Sequence, residues 1–247
     1  MAPATAATAA LEALQRCPEV PFGLHLTLTR DVPQLGWAPL APLVRVPSLV
    51  DGDGLLPTTA AAPALLARAR IEEVELELRA QIDSVVETGL RPTHLDWHVL
   101  ADGGRRDILE LTIALAGEYG LAARVWLDIG RQAARSRGLP CIDSAFLDSF
   151  SLEVPGKAQH YERLLRELPT GLHEWAVHPA AELPMTRDGL SGDSTEDVDL
   201  GWAVRRSDLD FLTSERARQI VDEEYNHLIN YSPLQLAWTN QLRMRGL

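Results

Sequence analysis

Pro92-Thr93-His94-Leu95-Asp96-Trp97-His98 sets two histidines and an aspartate at every second position. Run as a strand, the stretch sends His94, Asp96 and His98 to one face and Thr93, Leu95 and Trp97 to the other. An apolar face backed by His-x-Asp-x-His is not ordinary core design. Imidazole and carboxylate ligate Zn²⁺ and similar ions, and they are the usual general acids and bases. The flanks of this stretch decide the fold. Over residues 64–88, Leu65, Ala69, Val74, Leu78, Ile82 and Val85 recur at helical spacing, and Gly89 stands where a C-cap is expected. Helix, glycine, short turn and strand make the αβ half of a βαβ unit. A second helix over 106–119, closed by Gly120, leads to a buried-type strand at 121–127. Alternation of this kind predicts an α/β fold, as a barrel or an open parallel sheet.

Upstream, Pro21-Phe22-Gly23-Leu24-His25-Leu26-Thr27-Leu28-Thr29 alternates leucine with polar residues and reads as a strand carrying His25 on its polar face. For a lone histidine the ordinary role is to face solvent or cap a loop. A short strand ending in Thr-Arg-Asp is also where barrel and open-sheet enzymes keep site residues. Residues 4–16 read as a helix. Residues 31–63 are rich in Pro and Gly, yet they carry Trp37 and several leucines. They read as an ordered excursion that covers a cleft, with a short hairpin around Asp51-Gly52-Asp53-Gly54. Downstream, 128–145 is weakly patterned, 158–168 a helix and 172–179 a strand. His178 stands at the end of that strand, where a site residue is expected, whereas His173 reads as structural. Residues 186–201 read as an acidic, mobile loop. A helix capped by Ser214 spans 214–226, followed by a short strand at 227–231 and a last helix at 233–243.

The chain of 247 residues suffices for one large domain, and 46% hydrophobic with 23% charged residues is an ordinary globular balance. A net charge of −12 without a basic run argues against nucleic-acid binding. No apolar run is long enough to span a bilayer, and the N-terminal residues lack the positive flank of a signal peptide. Cys17 and Cys141 make neither a disulfide framework nor a zinc motif, and read as two buried thiols of a cytoplasmic protein.

Gly-Leu-His-Leu-Thr-Leu-Thr, a helix with Glu-Leu-Arg-Ala-Gln-Ile, Pro-Thr-His-Leu-Asp-Trp-His and Val-His-Pro occur here in that order. Together they resemble the YdjC-like carbohydrate deacetylases, also called the ChbG family. The resemblance runs from about residue 20 to the C-terminus. It includes Pro47-Ser48-Leu49 with Asp53-Gly54, Glu118-Tyr119-Gly120, and Trp202-Ala203-Val204-Arg205 with Asp208. It implies a single domain over 1–247, folded as a distorted (β/α) barrel of the polysaccharide-deacetylase type. It also implies removal of an acetyl group from an N-acetylated sugar such as a chitooligosaccharide. One divalent metal ion, Mg²⁺ or Zn²⁺, is expected, with His25 and His98 as ligands. His94, Asp96 and Arg205 are expected to support those ligands or line the site, and His178 to act as general acid. Trp37 and Trp175 are candidates for stacking on sugar rings, while Trp97 reads as core.

One departure qualifies the resemblance. The family opens with a strand ending in Asp-Asp, expected to supply the catalytic base and the third ligand, and no Asp-Asp pair occurs in these 247 residues. The resemblance therefore implies that the first βα unit is lacking. That would expose unpaired strand edges for an open barrel or a homodimer to accommodate. Two further readings stand beside the deacetylase. One is a family relic that binds carbohydrate or a partner without turnover. The other is a metal-dependent phosphoesterase or amidohydrolase, although the His-x-His that an amidohydrolase shows near its first strand is missing.

Overall fold

The computed structural model describes residues 1–145, 147–181 and 195–244. In chain order the elements are α1 (Ala7–Arg16), β1 (Leu24–Leu26), α2 (Ala62–Arg68), α3 (Ile71–Val86), β2 (His94–Trp97), α4 (Arg106–Tyr119), β3 (Ala122–Ala123) and α5 (Asp128–Ser136). They continue as β4 (Leu147–Asp148), α6 (Lys157–Arg166), β5 (Trp175–Ala176), α7 (Thr195–Leu212), α8 (Glu215–Glu223) and α9 (Ser232–Met244). The chain is α/β, with parallel strand pairs. It divides into two compact units: Met1–Cys141 with Asn230–Leu247, and Ile142–Ile229.

In the first unit β1, β2 and β3 form a parallel sheet in sequence order, with His25 paired to Asp96 and Leu95 to Ala123. Parallel neighbours require crossovers, and α3 and α4 supply them. Leu24, Leu26 and Leu28 are buried, as are Leu95 and Trp97. They face the helical stripes of Val74, Leu78, Ile82, Ile108 and Leu115 in one apolar core. Trp97 is core, as its alternation predicts, and its indole N–H donates to Thr112.

The helix expected over 64–88 is two helices. Arg70 is extended and its N–H donates to Ser48 Oγ, while the Arg105 guanidinium takes the carbonyls of Leu66 and Ala69. These tertiary bonds satisfy backbone groups that a continuous helix would have used internally. The hairpin expected at 51–54 is instead a turn built on Asp51, whose carboxylate accepts from the N–H groups of Asp53 and Leu55. Helix α5 lies in the stretch read as weakly patterned. Ahead of it, Asp102 accepts from the N–H groups of Trp126 and Leu127, 24 and 25 residues further along the chain.

In the second unit β4 and β5 pair in parallel, and α6, α7 and α8 enclose a core of Tyr161, Leu165, Phe211 and Ile220. Trp175 stacks on Tyr161 there. The Ser214 hydroxyl caps α8 by accepting from Ala217 N–H, as expected. Residues 227–231 form no strand: among the described residues no strand pairs them, and Leu228 and Ile229 are exposed. Of the acidic loop read at 186–201, residues 195–201 are the start of α7, and 186–194 lie outside the described residues. Neither cysteine is buried: Cys17, just past an α1 that has no buried residue, is exposed, and Cys141 is half-buried.

Candidate active site

The β1–β2 register puts His25 directly beside Asp96 on one face of the sheet. His25 Nδ1 donates to Asp96 Oδ2 at 2.8 Å, and Arg124 Nη2 reaches the same oxygen at 3.0 Å. Burial opposes the Asp96 charge. The His25 hydrogen bond and the Arg124 guanidinium outweigh that cost and hold the carboxyl below its usual range. An ionised carboxylate only accepts, so the proton of a neutral His25 sits on Nδ1 and the lone pair on Nε2.

His98 follows the end of β2, its N–H bonded to the Leu26 carbonyl. Its ring meets His25 edge-on, centroids 5.4 Å apart, and Trp37 lies 6.0 Å away on another side. His98 Nε2 is wholly enclosed and makes no hydrogen bond of acceptable angle, yet Asp31 Oδ1 stands 2.9 Å from it. The ring of His94 is stacked on Tyr231 at 3.7 Å, its Nδ1 3.0 Å from Thr93 Oγ1. Burial pushes its pKa down to about 4. His94 is therefore a neutral packed ring that props the strand, on the same face as Asp96.

The second unit holds a different constellation. His178 follows β5, with Nε2 3.3 Å from Asp148 Oδ1 and its ring edge on Phe150. Burial lowers its pKa, and the Asp148 charge opposes that shift. Its backbone N–H donates to Asp208, which is completely buried. Asp208 also accepts from Ser149 and Tyr161 and pairs with the buried ammonium of Lys157 at 2.7 Å. Burial works against this carboxylate, and its four partners more than offset it. Arg205 lies over the Phe150 ring, with Nη1 3.5 Å from the His178 carbonyl. His173 is bonded at both ring nitrogens, to Ser144 and the Pro169 carbonyl, in the structural role its position suggests.

Sequence reading missed Asp31, Arg124 and Asp148. Arg124 had a signal, a charged residue inside an otherwise apolar strand. Asp31 was visible only as the end of Thr-Arg-Asp.

A family model described as YdjC-like protein matches residues 1–223. The chain belongs to the YdjC-like family. Among its relatives, a carbohydrate deacetylase of Thermus thermophilus is 31% identical over 213 residues, 82% of this chain and 74% of that protein. One from Thermoanaerobacter pseudethanolicus is 25% identical over 229 residues, covering 93% of this chain and 84% of the relative. A crystal structure from Enterococcus faecalis V583, provisionally described as a cellobiose-phosphate cleavage protein, superposes with a TM-score of 0.71. It is 26% identical and covers 92% of this chain and 82% of that one.

The resemblance implies a divalent metal ion, and the donor set is a partial fit for one. A histidine whose Nδ1–H is fixed by a carboxylate is the usual form of a metal-ligating imidazole, and His98 Nε2 is an enclosed nitrogen without a satisfactory hydrogen bond. Among the described residues, however, no three His, Cys, Asp or Glu side chains stand ready around one ion. The same residues contain no helix long and apolar enough to cross a membrane.

Proposed function

We propose that this YdjC-like protein hydrolyses the N-acetyl amide of an acetylated sugar, such as a chitooligosaccharide, on a distorted (β/α) barrel. The observation that carries the reading is the Arg124–Asp96–His25 chain set edge-on to His98, in a family whose relatives are carbohydrate deacetylases. His25 and His98 would hold the ion. A divalent ion, Mg²⁺ or Zn²⁺, supplies Lewis acidity toward an amide carbonyl when bound.

The chain's own residues do the rest. Asp96 keeps the His25 proton on Nδ1 and so presents Nε2 to the site. Together with the His25 hydrogen bond, Arg124 keeps Asp96 in its charged form against the cost of burial. The resemblance gives His178, in the second unit, as the candidate general acid, with Asp148 favouring its charged form. Trp37, expected to stack on a sugar, is instead buried in the protein beside the His98 ring.

The test is acetate release from diacetylchitobiose by the purified chain with added Zn²⁺ or Mg²⁺. Metal-dependent release is expected. His178→Gln should lower kcat by about 10²–10⁴-fold, and His98→Ala should abolish metal binding. The second reading, a sugar-binding member without turnover, is favoured by the incomplete ligand set. Sugar binding with no acetate release under either metal would establish it in place of the deacetylase.

A further inference from the structure

We infer that Phe150 is a platform on which a sugar ring of the substrate stacks, with Arg205 and Asp148 at its rim to take hydroxyls. This rests on the acetylated-sugar reading above and adds a binding residue to it, within the second unit alone.

The first support is position. Strands β4 and β5 run parallel, with Asp148 paired to Ala176. Phe150 and His178 each follow that pair by two residues, so both stand at the carboxyl edge, where parallel strands carry ligand-binding residues. Their ring centroids are 4.8 Å apart and the rings meet edge-on. A sugar on Phe150 therefore lies beside the imidazole that is the candidate general acid.

The second support is an exposed ring on a fixed backbone. Tyr161 and Phe211 of the same unit are buried in its core, whereas Phe150 stays 45% exposed with Arg205 and His178 beside it. Its surroundings are nonetheless held. The Ser149 hydroxyl and the His178 N–H both donate to Asp208 Oδ2, at 2.7 and 2.8 Å. Phe150 N–H donates to Asp148 Oδ1 at 2.9 Å. One buried carboxylate thus sets the spacing of the Phe150 and His178 segments, and little ordering is left to be done when a ligand binds.

The third support is the chemistry of the rim. The Arg205 guanidinium lies 5.4 Å from the Phe150 ring centroid, and the Asp148 and His178 side chains are 42% and 34% exposed. A pyranose presents C–H bonds on its ring faces and hydroxyls around its edge. An aromatic ring takes the first by dispersion, and a guanidinium and a carboxylate take the second as donor and acceptor. An aromatic wall with a few convergent polar groups is the usual make-up of a small-molecule site.

The experiment is titration of the full chain with diacetylchitobiose, followed by proton NMR of the sugar, with acetate release measured in parallel. Phe150→Leu and Phe150→Gln are both made, with far-UV circular dichroism as the fold check, so that one variant can report if the other does not fold. Phe150→Tyr restores an aromatic ring, and Tyr225→Leu, at an 85% exposed aromatic of the same unit, is the control. The unsubstituted chain should bind and move sugar ring protons upfield, the signature of a ring stacked on an aromatic face. Phe150→Leu and Phe150→Gln should bind about 3- to 10-fold more weakly and lose the upfield shift. Their KM should rise by the same factor with kcat within about 2-fold, as for a contact made equally in ground and transition states. Phe150→Tyr and Tyr225→Leu should keep both affinity and shift. Unchanged affinity and shifts in a folded Phe150→Leu or Phe150→Gln, or equal weakening by Tyr225→Leu, would overturn the inference and leave the hydrolase reading standing. Binding with the upfield shift but without acetate release would support the inference and remove the hydrolase reading. No binding by the unsubstituted chain would overturn both.

Discussion

Gly23→Ala should destabilise the sheet through a ring 71 residues away in sequence. A methyl group on Gly23 would lie 2.3 Å from His94 Nε2, 2.4 Å from Cε1 and 2.7 Å from Cδ2. Comfortable contact needs about 3.5 Å. The imidazole has nowhere to retreat, because Tyr231 stacks on it at 3.7 Å with the planes 19° apart. Its Nδ1 is also held at Thr93 Oγ1. Strain therefore passes into the ring stack and the β1–β2 spacing. Overpacking costs about 1–3 kcal/mol and loss of an aromatic stack about 0.5–1.5 kcal/mol, so a total of about 2–4 kcal/mol is expected. With a urea slope of roughly 2–3 kcal/mol/M, the unfolding midpoint read by far-UV circular dichroism should fall by about 0.7–2 M. The mechanism is then isolated by a double-mutant cycle. In a His94→Ala background the ring is gone, and Gly23→Ala should cost less than about 1 kcal/mol. Additive effects of the two substitutions would refute the reasoning, as would a Gly23→Ala midpoint within about 0.2 M of the unsubstituted chain.

Three further outcomes are expected. Asp208→Ala leaves the Lys157 ammonium buried without its carboxylate, and should lower stability by about 3–5 kcal/mol in a thermal melt. Lys157→Met in the same chain should recover much of that loss. Glu77→Ala removes the acceptor of the Leu40 and Ala41 N–H groups and of the Gln81 amide. Limited proteolysis should then cut residues 33–58 faster, alongside a loss of about 2–4 kcal/mol. The third concerns pH. His94 has a folded pKa of about 4 against an ordinary 6.5, so the unfolded chain binds more protons between those values and stability rises with pH there. Asp102, raised by burial to about 6 from 3.8, has the opposite sign: the folded chain binds more protons and stability falls as pH rises. Each contribution is at most about 3.5 kcal/mol. Urea midpoints should therefore rise from pH 4.5 to 6.5 in Asp102→Asn and fall in His94→Gln, and equal slopes in the two variants would contradict the assignment.

Local patterns were legible where local physics sets the outcome. Helix α4 occupies the span its periodicity marks, and Gly120 ends it with φ 68°, a left-handed conformation that glycine adopts at little cost. Ser214 caps α8 for a similarly local reason. Errors gathered where the deciding bond is remote. Arg105 and Ser48 divide the long helix into α2 and α3, and the carboxylate ahead of α5 comes from Asp102. Residues 227–231 have strand composition but, among the described residues, no strand beside them to supply hydrogen bonds.

The sequence by itself determined the family, the alternation of strands and helices, and the one-faced display of His94, Asp96 and His98, because a strand repeats every two residues. Only the tertiary structure decided what those side chains meet. Parallel register brings Asp96 against His25 and leaves His94 to stack on Tyr231. The loop after β1 carries Asp31 to His98, a contact set by the path of the chain in space, which no residue spacing encodes.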